Sequence, residues 1–367
     1  MKRIVYTVRN LSNSGGTERV LINKANWLVK SGKYDVSIIT EDTTECFYQV
    51  DSRIKIYALN IKKPSSNYKI IRICRYVLFS VNYGLQILRF IYKIKPDIVI
   101  SANARDFIVL PFVCRKARKI YEFHWIVSRI SKQKESITES MSRLIMNRIG
   151  NLYDNIILLT TKDKEHCSNE WKNIDVIPNS RSFTCDTPAP LSNNRVIAVG
   201  NLFHIKGFSR LIDIWSIVHQ KHPNWSLSIY GEGYLREELQ AKIDRLSLTN
   251  VIKLQGREAD IKNAYLQHSF ALVSSLEESF SMTIIEAQTC GLPVIAFDCP
   301  FGPSEIIKDK IDGYLIPNDD IRAYADKVCM LIESPSLRKE IGYNAFNNSQ
   351  RFAEDKVMSR WVQVFEE

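Results

Sequence analysis

Residues 270–307 read FALVSSLEESFSMTIIEAQTCGLPVIAFDCPFGPSEII. Residues 270–274 are apolar and strand-like, and 277–281 form a polar loop. Residues 282–290 carry helical spacing that Gly291 and Pro293 end, and 294–297 open another strand. A unit of this order puts a helix N-terminus at the carboxyl edge of a parallel sheet, where unpaired N–H groups and the helix dipole favour an anion. Met282 and Glu286 are four residues apart and share a helix face, and helical side chains lean toward the N-terminus. Glu286 is thereby set to accept hydrogen bonds from hydroxyls of a ligand whose phosphate rests on the amides of 281–283. A phosphate and a diol in one ligand describe a nucleotide.

Outward from this unit, short apolar segments alternate with helix-length segments along the whole chain. Residues 4–8, 36–40, 54–59, 97–101, 120–123, 155–160 and 175–177 read as strands. After Pro188 and Pro190 the alternation resumes at 195–199, 226–230, 251–254, 270–274, 294–297 and 314–316. The chain has 367 residues, more than one hydrophobic core accommodates, so two domains are expected. The pattern predicts two Rossmann-like, doubly wound parallel sheets facing across a cleft: domain one over 1–182, a linker at 183–194 and domain two over 195–350.

Composition narrows the class. With 45% hydrophobic and 25% charged residues, the chain has the balance of a globular protein. Residues 1–11 lack the apolar core of a signal peptide, and the uncharged run 76–88 is too short and too polar to span a bilayer, which together predict a cytoplasmic protein. The 8 cysteines are scattered with no Cys-x-x-Cys pair, which fits a reducing compartment and argues against a zinc site. Charge is unevenly spread: residues 1–182 hold 31 basic against 16 acidic residues, and the remainder 19 against 24. An asymmetry of this size predicts that the first half meets a polyanion.

Glu278 and Glu286, with seven residues between them in the order strand, Glu, loop, helix, Glu-Ala, Gly-x-Pro-Val, resemble the Glu-x7-Glu signature of retaining GT-B glycosyltransferases, in particular glycosyltransferase family 4. The resemblance implies that Glu278 lies beside a donor sugar, that the backbone of Ser279, Phe280, Ser281 and Met282 holds a diphosphate, and that Glu286 binds the ribose. In GNLFHIKG (200–207), Lys206 and Gly207 match the family's Lys-Gly, whose cation holds the diphosphate; Asn201 stands where the family commonly has Arg. SGGTERV (14–20) resembles the family's Gly-Gly-x-Glu-Arg. Gly15 and Gly16 can adopt positive φ and let a ligand approach the backbone closely, the donor phosphate or, with Thr17 and Arg19, the acceptor; a tight turn and a Glu18–Arg19 ion pair are the structural alternatives. His124, in YEFHW, falls where the family carries a His by the donor sugar, although its aromatic neighbours equally suit a packed role. Asn179 matches a strand-ending Pro-Asn, Arg257 of KLQGR lies where the family meets the nucleotide base, and GPSEII (302–307) resembles a variant common among transferases using UDP-sugars. Residues 351–367 resemble the closing helix that returns to the first domain. Gly231 and Gly233 lack the full Gly-x-Gly-x-x-Gly spacing and read as a turn.

Residues 62–95 combine eight basic residues with a dense apolar stripe. They form either core helices with basic solvent faces or a docking face for an anionic membrane, each basic residue near the surface adding about 1 kcal/mol. Nucleic acid is not an expected partner, because no recognised module is present.

The resemblance implies an enzyme that moves a hexose or N-acetylhexosamine from a UDP-sugar, with retention, to a lipid-linked or polysaccharide acceptor at the inner face of the cytoplasmic membrane. Breaking the bond from the anomeric carbon to the diphosphate requires stabilising charge that grows on phosphate. Lys206, the Gly15 and Gly16 amides and the helix start after Ser281 would do so with no metal and no cofactor. His124 would bind a hydroxyl of the sugar. Two readings of other kinds stand beside this: a nucleotide-sugar-binding protein of the same fold without transferase activity, and a basic scaffold for membrane or nucleic acid.

Overall fold

The computed structural model describes residues 1–13, 15–61, 69–113, 116–125, 137–167 and 171–367, with the backbone alone for 69–77 and 137–143. Among the described residues, strands run in chain order as β1 (Lys2–Val8), β2 (Tyr34–Thr40), β3 (Lys55–Ala58), β4 (Ile98–Ser101), β5 (Arg118–Glu122), β6 (Asn155–Leu158) and β7 (Ile174–Val176). They continue as β8 (Arg195–Val199), β9 (Ser226–Tyr230), β10 (Ile252–Gly256), β11 (Phe270–Val273), β12 (Val294–Phe297) and β13 (Gly313–Ile316). Every segment read as a strand is one, with ends displaced by no more than two residues. The signal is strongest where both faces are buried: IVIS, FALV and VIAF, the strands β4, β11 and β12, are buried at every position, the signature of a parallel sheet covered by helices.

Two compact units result, one of Met1–Ile177 with Met358–Glu367, the other of Pro178–Val357. The first unit's sheet has the order β3-β2-β1-β4-β5-β6-β7 and the second's β10-β9-β8-β11-β12-β13, all pairs parallel. Strand order reverses at β1/β4 and at β8/β11, so each unit is doubly wound. Register is set by apolar pairs such as Ile4 with Val36 on one side and Ile98 on the other.

The second unit begins earlier than residue 183, and the segment expected as a free linker is packed within it. Ala189 N–H donates to the Cys290 carbonyl at 2.8 Å, and Arg338 Nε to the Leu191 carbonyl at 3.1 Å. Its core includes Trp215, wholly buried on the helix Phe208–Lys221 with Leu211, Ile212 and Val218. Each such side chain contributes about 1.5–3 kcal/mol of burial.

The last helix, Glu354–Glu366, joins the first unit from Met358 onward. Lys2 Nζ donates to the Phe365 carbonyl at 2.7 Å, Arg360 Nη2 donates to the Val176 carbonyl, and the Tyr34 and Phe365 rings meet edge to face at 5.8 Å. Among the described residues, no helix is long and apolar enough to cross a membrane.

Candidate active site

In the second unit the loop after β8 is fastened to the loop after β11 by backbone contacts that only glycine permits. Gly207 closes a single 3₁₀ turn, His204–Lys206, at φ 64°, and a Cβ there would lie 2.0 Å from the Ser274 carbonyl oxygen. Leu276 N–H donates to the Ile205 carbonyl at 2.8 Å, and Ser274 Oγ to the Lys206 carbonyl at 2.9 Å. Gly231, after β9, packs just as closely: a Cβ would lie 1.9 Å from the Gly200 carbonyl oxygen. The segment Gly231 to Gly233 is thus packed tightly on 200–202.

This fastening joins Lys206 to Glu278. Lys206 Nζ donates to Glu278 Oε1 at 2.7 Å, and Ser275 Oγ donates to the same oxygen at 2.7 Å. The two charged side chains are 25% and 9% exposed, so the pair is sheltered yet reachable. Oε2 of Glu278 has no protein partner among the described residues. Cys299 feels the same carboxylate: burial, and then the Glu278 charge, push its thiol up to about 12. Behind Glu278, Gly302 N–H donates to the Glu278 carbonyl at 3.2 Å, and Phe301 holds φ 74°, a left-handed conformation that is strained for an aromatic residue.

Glu278 leads into the helix Met282–Thr289, capped by Ser281 at φ −81°, ψ 99°. Ser281 makes no side-chain cap; its Oγ pairs with Thr283 Oγ1 at 3.1 Å and its carbonyl accepts from Ile284 N–H at 3.2 Å, so the first-turn amides that lack an intrahelical acceptor are those of Met282 and Thr283. Ser279 and Met282 are half-buried, and Phe280 is buried against Phe352 at 5.9 Å between ring centroids. One turn on, Glu286 is buried and accepts from Ser182 Oγ at 2.6 Å and from Tyr265 OH at 3.4 Å. It already serves as an acceptor for hydroxyls, the chemistry that a ribose would present. Asn201 and Arg257 are both exposed, on the loops after β8 and β10.

The remaining predicted residues lie in the first unit. Gly15 caps the helix Gly16–Lys30 at φ −76°, and neither Gly15 nor Gly16 has a positive φ. The freedom to take positive φ is not used at either glycine; a Cβ at Gly15 would lie 2.3 Å from Glu18 Oε2, so the missing side chain makes room for Glu18. Burial pushes the Glu18 carboxyl up, while its own amide and nearby His124 oppose the shift. Thr17 is half-buried, and the Arg19 guanidinium sits over the Tyr48 ring at 4.7 Å.

His124 Nε2 stands 3.2 Å from Glu122 Oε1, and both side chains are almost wholly buried. Glu122 in turn is ion-paired with Lys24, whose Nζ lies 4.3 Å from the Trp361 ring centroid on the last helix. Burial alone would raise the Glu122 carboxyl, but Lys24 and then His124 outweigh it and bring it to about 2. Burial likewise lowers Lys24, with Glu122 opposing.

Several supporting residues escaped the sequence reading. Arg210 donates from Nε to the Ser274 carbonyl at 2.8 Å, from Nη2 to the Ser275 carbonyl and from Nη1 to Asp319 at 2.7 Å, while stacking 3.8 Å from the Phe297 centroid. It braces the loop that carries Glu278. Nothing local marks it, nor Ser182 and Tyr265. Lys24 did leave a signal: it interrupts the apolar stripe Leu21, Ala25, Leu28 of a helix. Among the described residues no group of three His, Cys, Asp or Glu is arranged to hold a metal ion.

Comparison with known proteins follows the division into units. The family model "Glycosyltransferase Family 4" matches residues 14–181, and "Glycosyl transferases group 1" matches residues 185–348. The chain is 28% identical to the amylovoran biosynthesis glycosyltransferase AmsD of Erwinia amylovora over 99% of both. It is 25% identical to a Campylobacter jejuni α-1,4-N-acetyl-D-galactosaminyltransferase named for a diphosphoundecaprenol-linked acceptor, over 100% of this chain and 99% of that one. Among solved structures, S. aureus TarM in complex with UDP superposes with a TM-score of 0.82 at 17% identity, covering 100% of both chains. Anabaena HepE with UDP and glucose gives 0.78 at 18% identity, also over 100% of both. Matched along both units by glycosyltransferase families, and folded as these two-sheet neighbours are, the chain is a glycosyltransferase of the GT-B fold.

Proposed function

We propose that this glycosyltransferase is a retaining enzyme of family 4 that moves a hexose or N-acetylhexosamine from a UDP-sugar to a lipid-linked or polysaccharide acceptor in bacterial cell-surface glycan assembly, without a metal. The observation that carries the reading is the Lys206–Glu278 pair at 2.7 Å, set immediately before a helix start whose side-chain cap is missing. A UDP diphosphate arriving at the first-turn amides supplies the anion that such a site lacks, and Lys206 then faces phosphate charge as the sugar departs. Glu278 Oε2 would take the sugar and Glu286 would accept from ribose hydroxyls; in the first unit, His124 is the candidate partner for a sugar hydroxyl. Asn201 brings no charge, so Lys206 and the amides carry the leaving group between them. The names of relatives supply the acceptor class: amylovoran biosynthesis in one, a diphosphoundecaprenol-linked glycan in another. UDP in the TarM and HepE structures supports the donor.

We place the reaction at an anionic membrane surface. Lys62, Lys63, Lys69, Arg72 and Arg75 of the basic stripe lie outside the residues whose side chains are described. On the rest of the helix Lys69–Ile94, Leu78, Val81, Leu85 and Tyr92 are exposed along one face, beside exposed Arg89, Lys93 and Lys95. Neighbouring helices add exposed Ile108, Phe112, Leu144 and Ile145. Apolar side chains rimmed by cations suit an anionic leaflet.

The test is a panel of nucleotide-sugars in excess EDTA with a membrane-extract acceptor, followed by the anomeric configuration of the product. Retained configuration with EDTA present is expected; inversion, or activity restored only by a divalent ion, would refute it. Calorimetry with UDP divides the carboxylates: Glu286→Ala should lose affinity, and Glu278→Ala should keep affinity and lose transfer.

A further inference from the structure

We propose that the carboxyl edge of the first unit's sheet carries a subsite for neighbouring hydroxyls of a saccharide, built from Glu41, Asn10 and Arg105. The proposal rests on the transferase reading above and assigns the residues that hold the accepting sugar.

Strand order in that sheet reverses between β1 and β4, and in open α/β sheets ligands bind outside the carboxyl ends of the strands at such a reversal. Asp106 ties the strands together there. Its buried carboxylate accepts from Thr7 Oγ1 on β1, from Ser101 Oγ on β4 at 2.8 Å and from Tyr83 OH, so both of its oxygens are used.

Glu41 is different. It directly follows β2, is 2% exposed, and its Oε1 accepts from Asn103 Nδ2 at 2.8 Å and from Arg105 Nη1. Its Oε2 is buried and accepts from nothing among the described residues. Asn10 Oδ1, just past the end of β1, is also buried and has no donor among the described residues. Glu41 N–H donates to the Arg9 carbonyl at 2.9 Å, which holds the two segments side by side. A buried acceptor left unpaired costs about 1–3 kcal/mol, more when charged, so two at adjacent strand ends are not features that stabilise the free fold. They are suited to a donor that arrives from outside.

Arg105 supplies the complementary groups. Its guanidinium lies 4.6 Å from the Phe79 centroid and 5.3 Å from that of Tyr83, and its side chain is 21% exposed, the part of the cluster that solvent reaches. Nη1 is engaged by Glu41, while no protein acceptor meets Nε or Nη2 among the described residues. The ligand must therefore donate to Glu41 and Asn10 and accept from Arg105. A fully ionised phosphate cannot donate and is repelled by Glu41 and Asp106, and an ammonium cannot accept. Hydroxyls do both, and adjacent ones reach both sides of the cluster at once.

The test uses the full chain with UDP present and the methyl α-glycosides of glucose, galactose, N-acetylglucosamine and N-acetylgalactosamine, each titrated by saturation-transfer NMR. At least one glycoside is expected to bind, with affinity falling about tenfold or more in Glu41→Gln and in Arg105→Ala while UDP affinity and the thermal unfolding profile stay as in the parent. If Glu41→Gln fails to fold, Arg105→Ala decides alone. Binding of no glycoside by the parent, or parent-like binding in the folded variants, overturns the proposal. Because the readout is binding, a parent that takes a glycoside yet turns over no UDP-sugar sinks the transferase reading and leaves the subsite standing.

Discussion

Without a donor, Lys206 neutralises a carboxylate; during transfer it must neutralise a phosphate. Lys206→Ala should lower kcat by about two to three decades, the effect of losing one charge-stabilising donor worth about 2.7–4 kcal/mol. Near-normal turnover in a folded variant would remove Lys206 from the chemistry. Glu122 allows a prediction on stability. Its ordinary value of 4.5 is brought to about 2 in the fold, so the stabilisation it gives is present above pH 4.5 and is lost as pH falls through 2. Lys24→Met removes the partner that depresses it. The stability gap between parent and variant, followed by denaturant unfolding, should therefore be widest near neutrality and close across that window; a gap independent of pH would show that the pair is not the cause. Glu278 and Glu286 stood out in the sequence because they share one loop-and-helix stretch at a fixed spacing, and Lys206 because it precedes a glycine at a loop-to-helix junction; the contact between Lys206 and Glu278, 72 residues apart, came only with the fold. Lys24 with Glu122, 98 residues apart, and Arg210 with Ser274, 64 apart, were not legible either, since only the fold brings such partners together.

At the scale of elements, the strands were legible because parallel strands buried on both faces are unbroken apolar runs. The sequence leaves the loop at Gly15 open, since two adjacent glycines permit left-handed backbone and a tight turn alike; the space that the fold uses there is for the Glu18 carboxylate. The helix Lys69–Ile94 makes the most exposed claim. Its described face carries apolar side chains that water disfavours, so Leu78→Ser, Val81→Ser and Leu85→Ser together should reduce flotation with anionic liposomes. The parent's binding should also weaken as salt rises, because charges lose reach beyond a Debye length of about 8 Å at physiological ionic strength. Flotation of the triple variant equal to that of the parent, or flotation of neither, would make this face an ordinary solvated one.

Across the whole molecule, the path of the chain is the feature with further reach. The first unit is made of two pieces, and Arg360 on the second bonds the Val176 carbonyl at the end of the first, beside the point where the chain leaves. Topologically, the second unit is an insertion into a host whose two cut ends lie together. Cleaving the gene once, after Ile177, strips the host of Trp361 and leaves Lys24 and Glu122 bare. Joining Ile177 to Met358 through a few Gly/Ser residues keeps them covered. The spliced host should give a cooperative thermal transition, residues 1–177 alone should not, and the excised 178–357 should still take up UDP in calorimetry, so that a gene shuffled between relatives at these two junctions, rather than at one, exchanges donor specificity as a cassette.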